Sequence, residues 1–301
     1  MTTRVTRVDI DAVQPQRWRI GLLEGSGAQQ LPPGAISRLA GGIGYQTFDP
    51  GFDPDVGSTF DPCDDFTVAE GEGTERQWNA WGIAIGEECS TLNAADGTIE
   101  AMEARAEARL QAQSSYLAEY TFWTGLVGGT LFSAIAPTAW PNIPLVDPSL
   151  TDLTPSDTEA GVVEAFGLIH EYLSDTLRGL RGVIHVAPQI LPYLAFYGVA
   201  QRDGFTLGTT LGDHLIIAGS GYQGTGPSNI AVPDNRTWIY ATSMVRVGAS
   251  PIEVRADYTR EQNTAHAIAY RAVLAEWDRH AHAGLRVCLT DPGPTCAAEG
   301  S

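Results

Sequence analysis

Three sets of residues in this chain have types and spacing that chemistry uses. At 215–224, LIIAGSGYQG places Gly219, Gly221 and Gly224 in a GxGxxG pattern behind an apolar run, where glycines let a backbone approach a dinucleotide pyrophosphate. That site requires the turn to open a helix and a carboxylate to follow about 20 residues on to hold the ribose. Here Thr225-Gly226-Pro227-Ser228 breaks any helix, and the next strand, around Trp238 to Thr242, ends without a carboxylate. Ser220 as the nucleophile of a GxSxG elbow would need Gly at 218, where Ala218 stands. The glycines therefore read as a tight turn joining two subdomains. His280 and His282 have chelating spacing but lack a third ligand with suitable spacing. His170, beside an apolar helical stripe, reads as a packing residue. Asp49, Asp53 and Asp55 miss the spacing of an EF-hand, so their neighbourhood reads as a solvated acidic loop. No catalytic residue, cofactor-binding residue or metal ligand is assigned from these patterns.

Composition narrows the classes further. The chain has 301 residues and a net charge of −18, which argues against a nucleic-acid-gripping surface, since phosphates need clustered positive charge. All 18 basic residues are Arg. That excludes lysine Schiff bases, a P-loop lysine and lysine-derived isopeptide bonds. Cys63, Cys89, Cys288 and Cys296 have no CxxC spacing and read as a reduced, intracellular set. Neither a signal peptide nor a membrane span is expected.

The element that must position everything else is 98–123, TIEAMEARAEARLQAQSSYLAEYTFW, the longest helical pattern, free of Gly and Pro. Thr98 is placed to cap it, and Gly125 follows its end. Ile99, Met102, Ala106, Leu110, Gln113, Leu117 and Tyr120 recur at steps of three and four and define its packed stripe. At about 1.5 Å per residue the helix spans roughly 40 Å. It is either a long helix on a sheet or the spine of an elongated subunit.

Before it, residues 1–45 carry Arg4, Arg7, Arg17 and Arg19 against Asp9 and Asp11. They form either an arm lying on a neighbour's acidic surface or a solvated tail. Residues 46–75 repeat Phe-Asp-Pro at Phe48, Phe52 and Phe60 among acids and glycines, a long excursion with aromatic anchors. Residues 76–89 alternate as a returning strand with Trp78 and Trp81 packing. After irregular sequence at 126–155, Ser156 and Glu159 predict a capping box for a helix striped by Val162, Phe166, Ile169, Leu173, Leu177 and Leu180. A strand at 182–186 and a Pro-started segment at 188–197 complete an α/β module. From Trp238 the chain reads as successive strands, including 264–277, for which helix is the competing reading.

In this order of elements the chain resembles the major capsid proteins of tailed bacteriophages, the Hong Kong 97 fold. The resemblance rests on the basic arm, acidic loop, spine helix, GVIHVAP, the glycine turn, WIYATSMVRV, and a closing pattern of Asn263, Arg271, Trp277-Asp278 and Leu285-Arg286-Val287, with Tyr270 where the family often has Glu. It implies an α+β fold with an N-terminal arm at 1–45 and an extended loop at 46–90. A peripheral domain at 91–155 and 236–291, an axial domain at 156–235 and a tail at 292–301 would complete it. It implies further a non-enzymatic shell protein of a double-stranded DNA phage head, without cofactor, made in the host cytoplasm and located in the virion. Partners would be further copies of itself, as hexamers and pentamers, with scaffold, portal and cement proteins possible. DNA would be enclosed without sequence-specific binding, and no membrane would be involved. Phe48, Phe52, Phe60, Arg4 and Arg7 are the expected intersubunit contacts. An encapsulin-like bacterial compartment shell is the alternative, followed by a nucleotide- or metal-dependent enzyme.

Overall fold

The computed structural model describes residues 20–26, 29–30, 43–46, 75–78, 81–90, 99–125, 142–155, 160–204, 206–211, 214–259, 264–278 and 280–289. Arg4, Arg7, Phe48, Phe52, Phe60, Thr98, Ser156, Glu159 and Asn263 lie outside the described residues.

The chain opens on a single helical turn, α1 (Leu22–Gly25), and a short strand β1 (Gln29–Gln30). Strands β2 (Ile43–Gln46) and β3 (Glu75–Trp78) pair antiparallel, and β4 (Trp81–Ser90) follows. The long helix α2 (Ile99–Thr124) has 26 residues, close to the span its Gly- and Pro-free sequence predicts. Then come β5 (Thr151–Asp152), β6 (Ala160–Gly161), helix α3 (Val162–Leu177), β7 (Gly182–Val186), helix α4 (Leu191–Phe196), β8 (Ala200–Asp203), β9 (Thr206–Thr209) and β10 (Leu215–Ala218). The last elements are all strands: β11 (Arg236–Ser243), β12 (Val245–Ala249), β13 (Glu253–Thr259), β14 (Thr264–Trp277) and β15 (His282–Cys288).

Two sheets share these strands. In the first, β14 is the trunk, flanked by β12 and β13, with β4 also pairing along it from Ser90↔Thr264 to Trp81↔Val273 and β1 adding in parallel to β12. The helical alternative for 264–277 loses because every residue of that segment finds a ladder partner, and ladder bonds outweigh the modest propensity of its alanines. Helix α2 lies across β14, β4 and β13. The second sheet runs β5-β15-β11-β7-β10-β9-β8, with β7 and β10 parallel, and α3 covers it. A division at 235/236 therefore cuts through a sheet, since β11 and β15 hydrogen-bond into the same sheet as β7 and β10.

Helix α3 buries Val162, Phe166, Ile169, Leu173 and Leu177 as its spacing predicts. Its start differs from the capping box. The backbone of Ala160 and Gly161 pairs with Val287 and Cys288, so the ladder holds that stretch extended and the helix begins after Gly161, without a side-chain cap. It ends at Arg178 in the left-handed region, whose N–H donates to the Ser174 carbonyl, leaving Leu180 beyond the stripe and 48% exposed.

The stripe on α2 also differs. Ile99 and Gln113 are exposed and Leu117 and Tyr120 only partly buried, whereas Met102, Ala106, Leu110, Ser114, Ala118 and Phe122 are buried at strict steps of four. A step of four advances about 400°, so this seam drifts around the helix by about 40° per turn. The drift carries the helix from packing on one sheet to packing between both, and nearly all of Ala118–Thr124 is consequently buried. Cys288 is disulfide-bonded, contrary to the reduced set expected from spacing. Spacing along the chain is silent on cysteines that topology brings together.

Candidate functional site

The glycine turn at 219–226 does not face a cofactor. It leans against the backbone of α2, and a methyl group at Gly221 would run into the Tyr116 carbonyl and come within 2.7 Å of the Tyr120 amide nitrogen. Gly at this position is needed for close approach of helix and turn, not of a pyrophosphate. What the turn meets there is a carbonyl and a carboxylate, which repel an anion. After it the chain forms one 3-10 turn, Pro227–Asn229, and not a phosphate-binding helix.

The carboxylate is Glu119, fully buried on α2 and not singled out by any sequence pattern. Its Oε1 accepts the Leu22 amide at 2.8 Å, and its Oε2 accepts the Ser220 hydroxyl and the Gly221 amide, both at 2.9 Å. One side chain thus ties three segments that are about a hundred residues apart. Burial pushes its pKa up to about 7 despite the opposing pull of the Gly221 and Leu22 amides and the Ser220 hydroxyl, and Glu24 nearby adds to the rise. Glu24 is itself held by the Ser115 hydroxyl at 2.8 Å.

A second polar chain continues inward from the turn. Thr242 Oγ1 donates to the Ser243 carbonyl, so it accepts from His185 Nε2–H at 2.9 Å, and His185 Nδ1 accepts the Tyr222 hydroxyl at 3.0 Å. Burial, with His282 adding, lowers the His185 pKa to about 3 and keeps the ring neutral. Phe122, Trp123, Tyr222 and Tyr240 pack around this chain, and Trp123 Nε1 donates to the Thr225 hydroxyl at 3.0 Å. The arrangement ties the spine and the turn to the second sheet.

The other candidates are placed apart from it. Ser220 spends its hydroxyl on Glu119, so it is a tether in the turn. His280 sits exposed in a turn, while buried His282 donates Nε2–H to the Leu145 carbonyl at 3.1 Å and stacks edge-on against Trp277, which leaves that nitrogen unable to bind a metal. Among the described residues no three His, Cys, Asp or Glu side chains converge as a metal site, and no helix is long and apolar enough to cross a membrane. His170 packs ring to ring with His214 at 4.8 Å, half-buried as expected of a packing residue. Of the closing pattern, Arg271 Nε donates to the Ser250 carbonyl at 2.9 Å, and Tyr270 gives its hydroxyl to Glu253 at 2.8 Å.

Two large apolar side chains stand strongly exposed. Phe196 is 75% and Leu211 81% exposed, and Thr210 bonds to the carbonyls of Val199 and Gly198, which brings the two side chains to the same end of the second sheet.

No protein-family model and no curated protein sequence matches the chain. Solved structures do. The chain aligns over 96% of its length with 97% of a chain from Mycobacterium phage Ogopogo, at a TM-score of 0.52 and 12% identity. It aligns over 98% with 97% of a chain in the capsid of Ralstonia phage GP4, at 0.52 and 8%. It also aligns over 95% with 95% of a chain in the capsid of an empty GTA particle computed with C5 symmetry, at 0.51 and 14%. With α2 as spine, β14 as trunk and the glycine turn docked between them, the chain has the α+β capsid fold of the Hong Kong 97 type.

Proposed function

We propose that this chain is a major capsid protein, many copies of which tile the icosahedral head of a tailed double-stranded DNA phage. The observation that carries the reading is coverage. Chains of the Ralstonia phage GP4 capsid and of the empty GTA particle capsid align with 98% and 95% of this one. The buried junction supports it, since every chemistry-bearing residue of the glycine turn is spent on tethering. So does the exposed pair Phe196 and Leu211, apolar area of the kind that a neighbouring copy covers. The net charge of −18 suits a container wall that must not grip its DNA. In this reading residues 1–45 are an arm and 46–90 an extended loop that reach neighbours through Arg4, Arg7, Phe48, Phe52 and Phe60. The peripheral domain is built on α2 and β14, and the axial domain takes in 156–235 together with the strands that complete its sheet. Hexamers and pentamers of this chain build the shell, with scaffold, portal or cement proteins as further partners, and the protein performs no catalysis.

The test is the content of the particles. Particles purified from cells producing the virus should carry nuclease-protected double-stranded DNA. Particles filled with an enzyme cargo and free of DNA would assign the chain to a bacterial compartment instead.

A further inference from the structure

Ile230 is left 65% exposed on a loop that is held from several sides. The Ser228 amide donates to the Val146 carbonyl at 2.7 Å, Asn229 Nδ2 donates to the Thr124 carbonyl at the end of the spine at 2.9 Å, and the Gly226 amide donates to the Ile230 carbonyl at 2.8 Å. Ser228 and Asn229 both take left-handed backbone, at φ 57° and 60°, which costs a residue with a side chain and persists only where its surroundings enforce it. A strained, firmly held loop that aims an apolar side chain at solvent is preorganised to meet a partner. The chain also carries a hole of matching chemistry. Leu177, Leu180 and Met244 line a cavity of about 240 Å³, and Met244 is 46% exposed beside it. An apolar cavity of roughly 150 Å³ holds a benzene ring, so this one has room for a branched aliphatic side chain. Its polar groups are spent on one another: Ser243 Oγ donates to the Asp278 carbonyl and accepts the Asp278 amide, both at 2.8 Å, and Asp278 Oδ1 accepts the His280 amide at 3.1 Å.

We propose that Ile230 of one copy seats among Leu177, Leu180 and Met244 of the next, in a head-to-tail contact that repeats around a rotation axis of the shell. The two surfaces lie toward opposite ends of β11. The loop leads into the start of that strand and packs at Gly226 against Trp238, while Met244 follows its last residue, about 20 Å farther along at 3.3 Å per residue. A copy therefore presents its knob to one neighbour and its hole to another, which is a heterologous contact, and rotation closes a succession of such contacts into a ring. Charge supports the same pairing. Asp234 stands exposed four residues after Ile230, and Arg181 and His280 stand exposed at the edge of the hole, so an acid beside the knob meets bases beside the hole. The contact rests on the shell function proposed for the chain and names the surfaces through which copies meet.

Sedimentation of the purified full chain, under conditions in which the wild type forms particles, tests the contact with Ile230→Asp and Met244→Arg. Both side chains are exposed, so each variant should melt within about 2 °C of wild type, yet each alone should lose particle yield by about tenfold or more. An equimolar mixture of the two variants should recover particles. One of its contacts joins an intact knob to an intact hole, and the other joins the introduced carboxylate to the introduced guanidinium. The double variant should recover them for the second reason alone. Leu180→Arg, on the other lip of the hole, repeats the test should Met244→Arg unfold. Wild-type yield from either single variant, or failure of both the mixture and the double variant to recover particles, would overturn this contact while leaving the shell function standing. Absence of particles from the wild type, even with its viral partners coexpressed, would overturn both.

Discussion

Replacing Gly221 with Ala tests the contact on which the junction depends. The added methyl group has nowhere to go, because helix backbone, not a flexible side chain, fills the space beside the Tyr116 carbonyl and the Tyr120 amide. Either the turn withdraws or the helix bends. Forcing extra volume into a packed site costs about 1–3 kcal/mol. Withdrawal also breaks the Gly221 amide bond to Glu119, and a hydrogen bond of this kind contributes about 0.5–1.5 kcal/mol. Together these give roughly 2–4 kcal/mol, which lowers the melting temperature by about 5–10 °C. Gly167→Ala is the matched control. Gly167 lies on the exposed face of α3, a methyl group there meets nothing within 4 Å, and replacing glycine inside a helix gains about 0.5–1 kcal/mol. Thermal unfolding of both variants, followed by circular dichroism on unassembled protein, should move in opposite directions. A Gly221→Ala melting temperature within about 2 °C of wild type would refute the close approach of turn and spine.

Other perturbations separate folding from assembly. Leu110→Asp buries a charge on the α2 seam and should prevent folding at a cost of several kcal/mol, whereas Glu107→Gln on the exposed face should melt like wild type. Replacing both Phe196 and Leu211 with Ser should leave the melting temperature within about 2 °C of wild type but abolish particles in sedimentation, as should Ser at Phe48, Phe52 and Phe60 together. His185 is held neutral, with a pKa lowered from 6.5 to about 3, so its contribution to stability is complete above pH 6.5 and is lost as pH falls toward 3. Its imidazole resonances in a spectrum of the unassembled chain should accordingly not titrate between pH 8 and 4. With no lysine amine for an isopeptide link, particles boiled in detergent with reductant should run as a single band at 32.2 kDa, and a ladder of covalent multimers would point to a different linkage.

Much of the architecture was legible because long elements carry strong periodic signals. The 26-residue spine followed from an unbroken helical pattern, and β14 from alternation that the ladder then satisfied along its whole length. The failures share one cause, which is that tertiary contacts override local rules. The spine's buried face shifts from Gln113, Leu117 and Tyr120 to Ser114, Ala118 and Phe122 because a turn and α1, both distant in sequence, need small residues to approach the helix. The start of α3 moves because β15 pairs with Ala160 and Gly161. Dismissing the GxGxxG pattern as a cofactor site required only the missing helix and carboxylate. Its actual partner was invisible, since a glutamate among the exposed acids of an amphipathic helix looks like any other. Only the unusual pairing of small residues at 114, 115 and 118 with Glu119 on one face hinted that something packs closely there.

The central claim, that copies of this chain close into a shell, is tested most directly by electron microscopy of the purified protein raised through micromolar concentration. The account predicts closed, uniformly sized icosahedral particles whose subunits show the spine helix and the docked glycine turn. A monodisperse monomer at every concentration, alone and with its viral partners coexpressed, would contradict it.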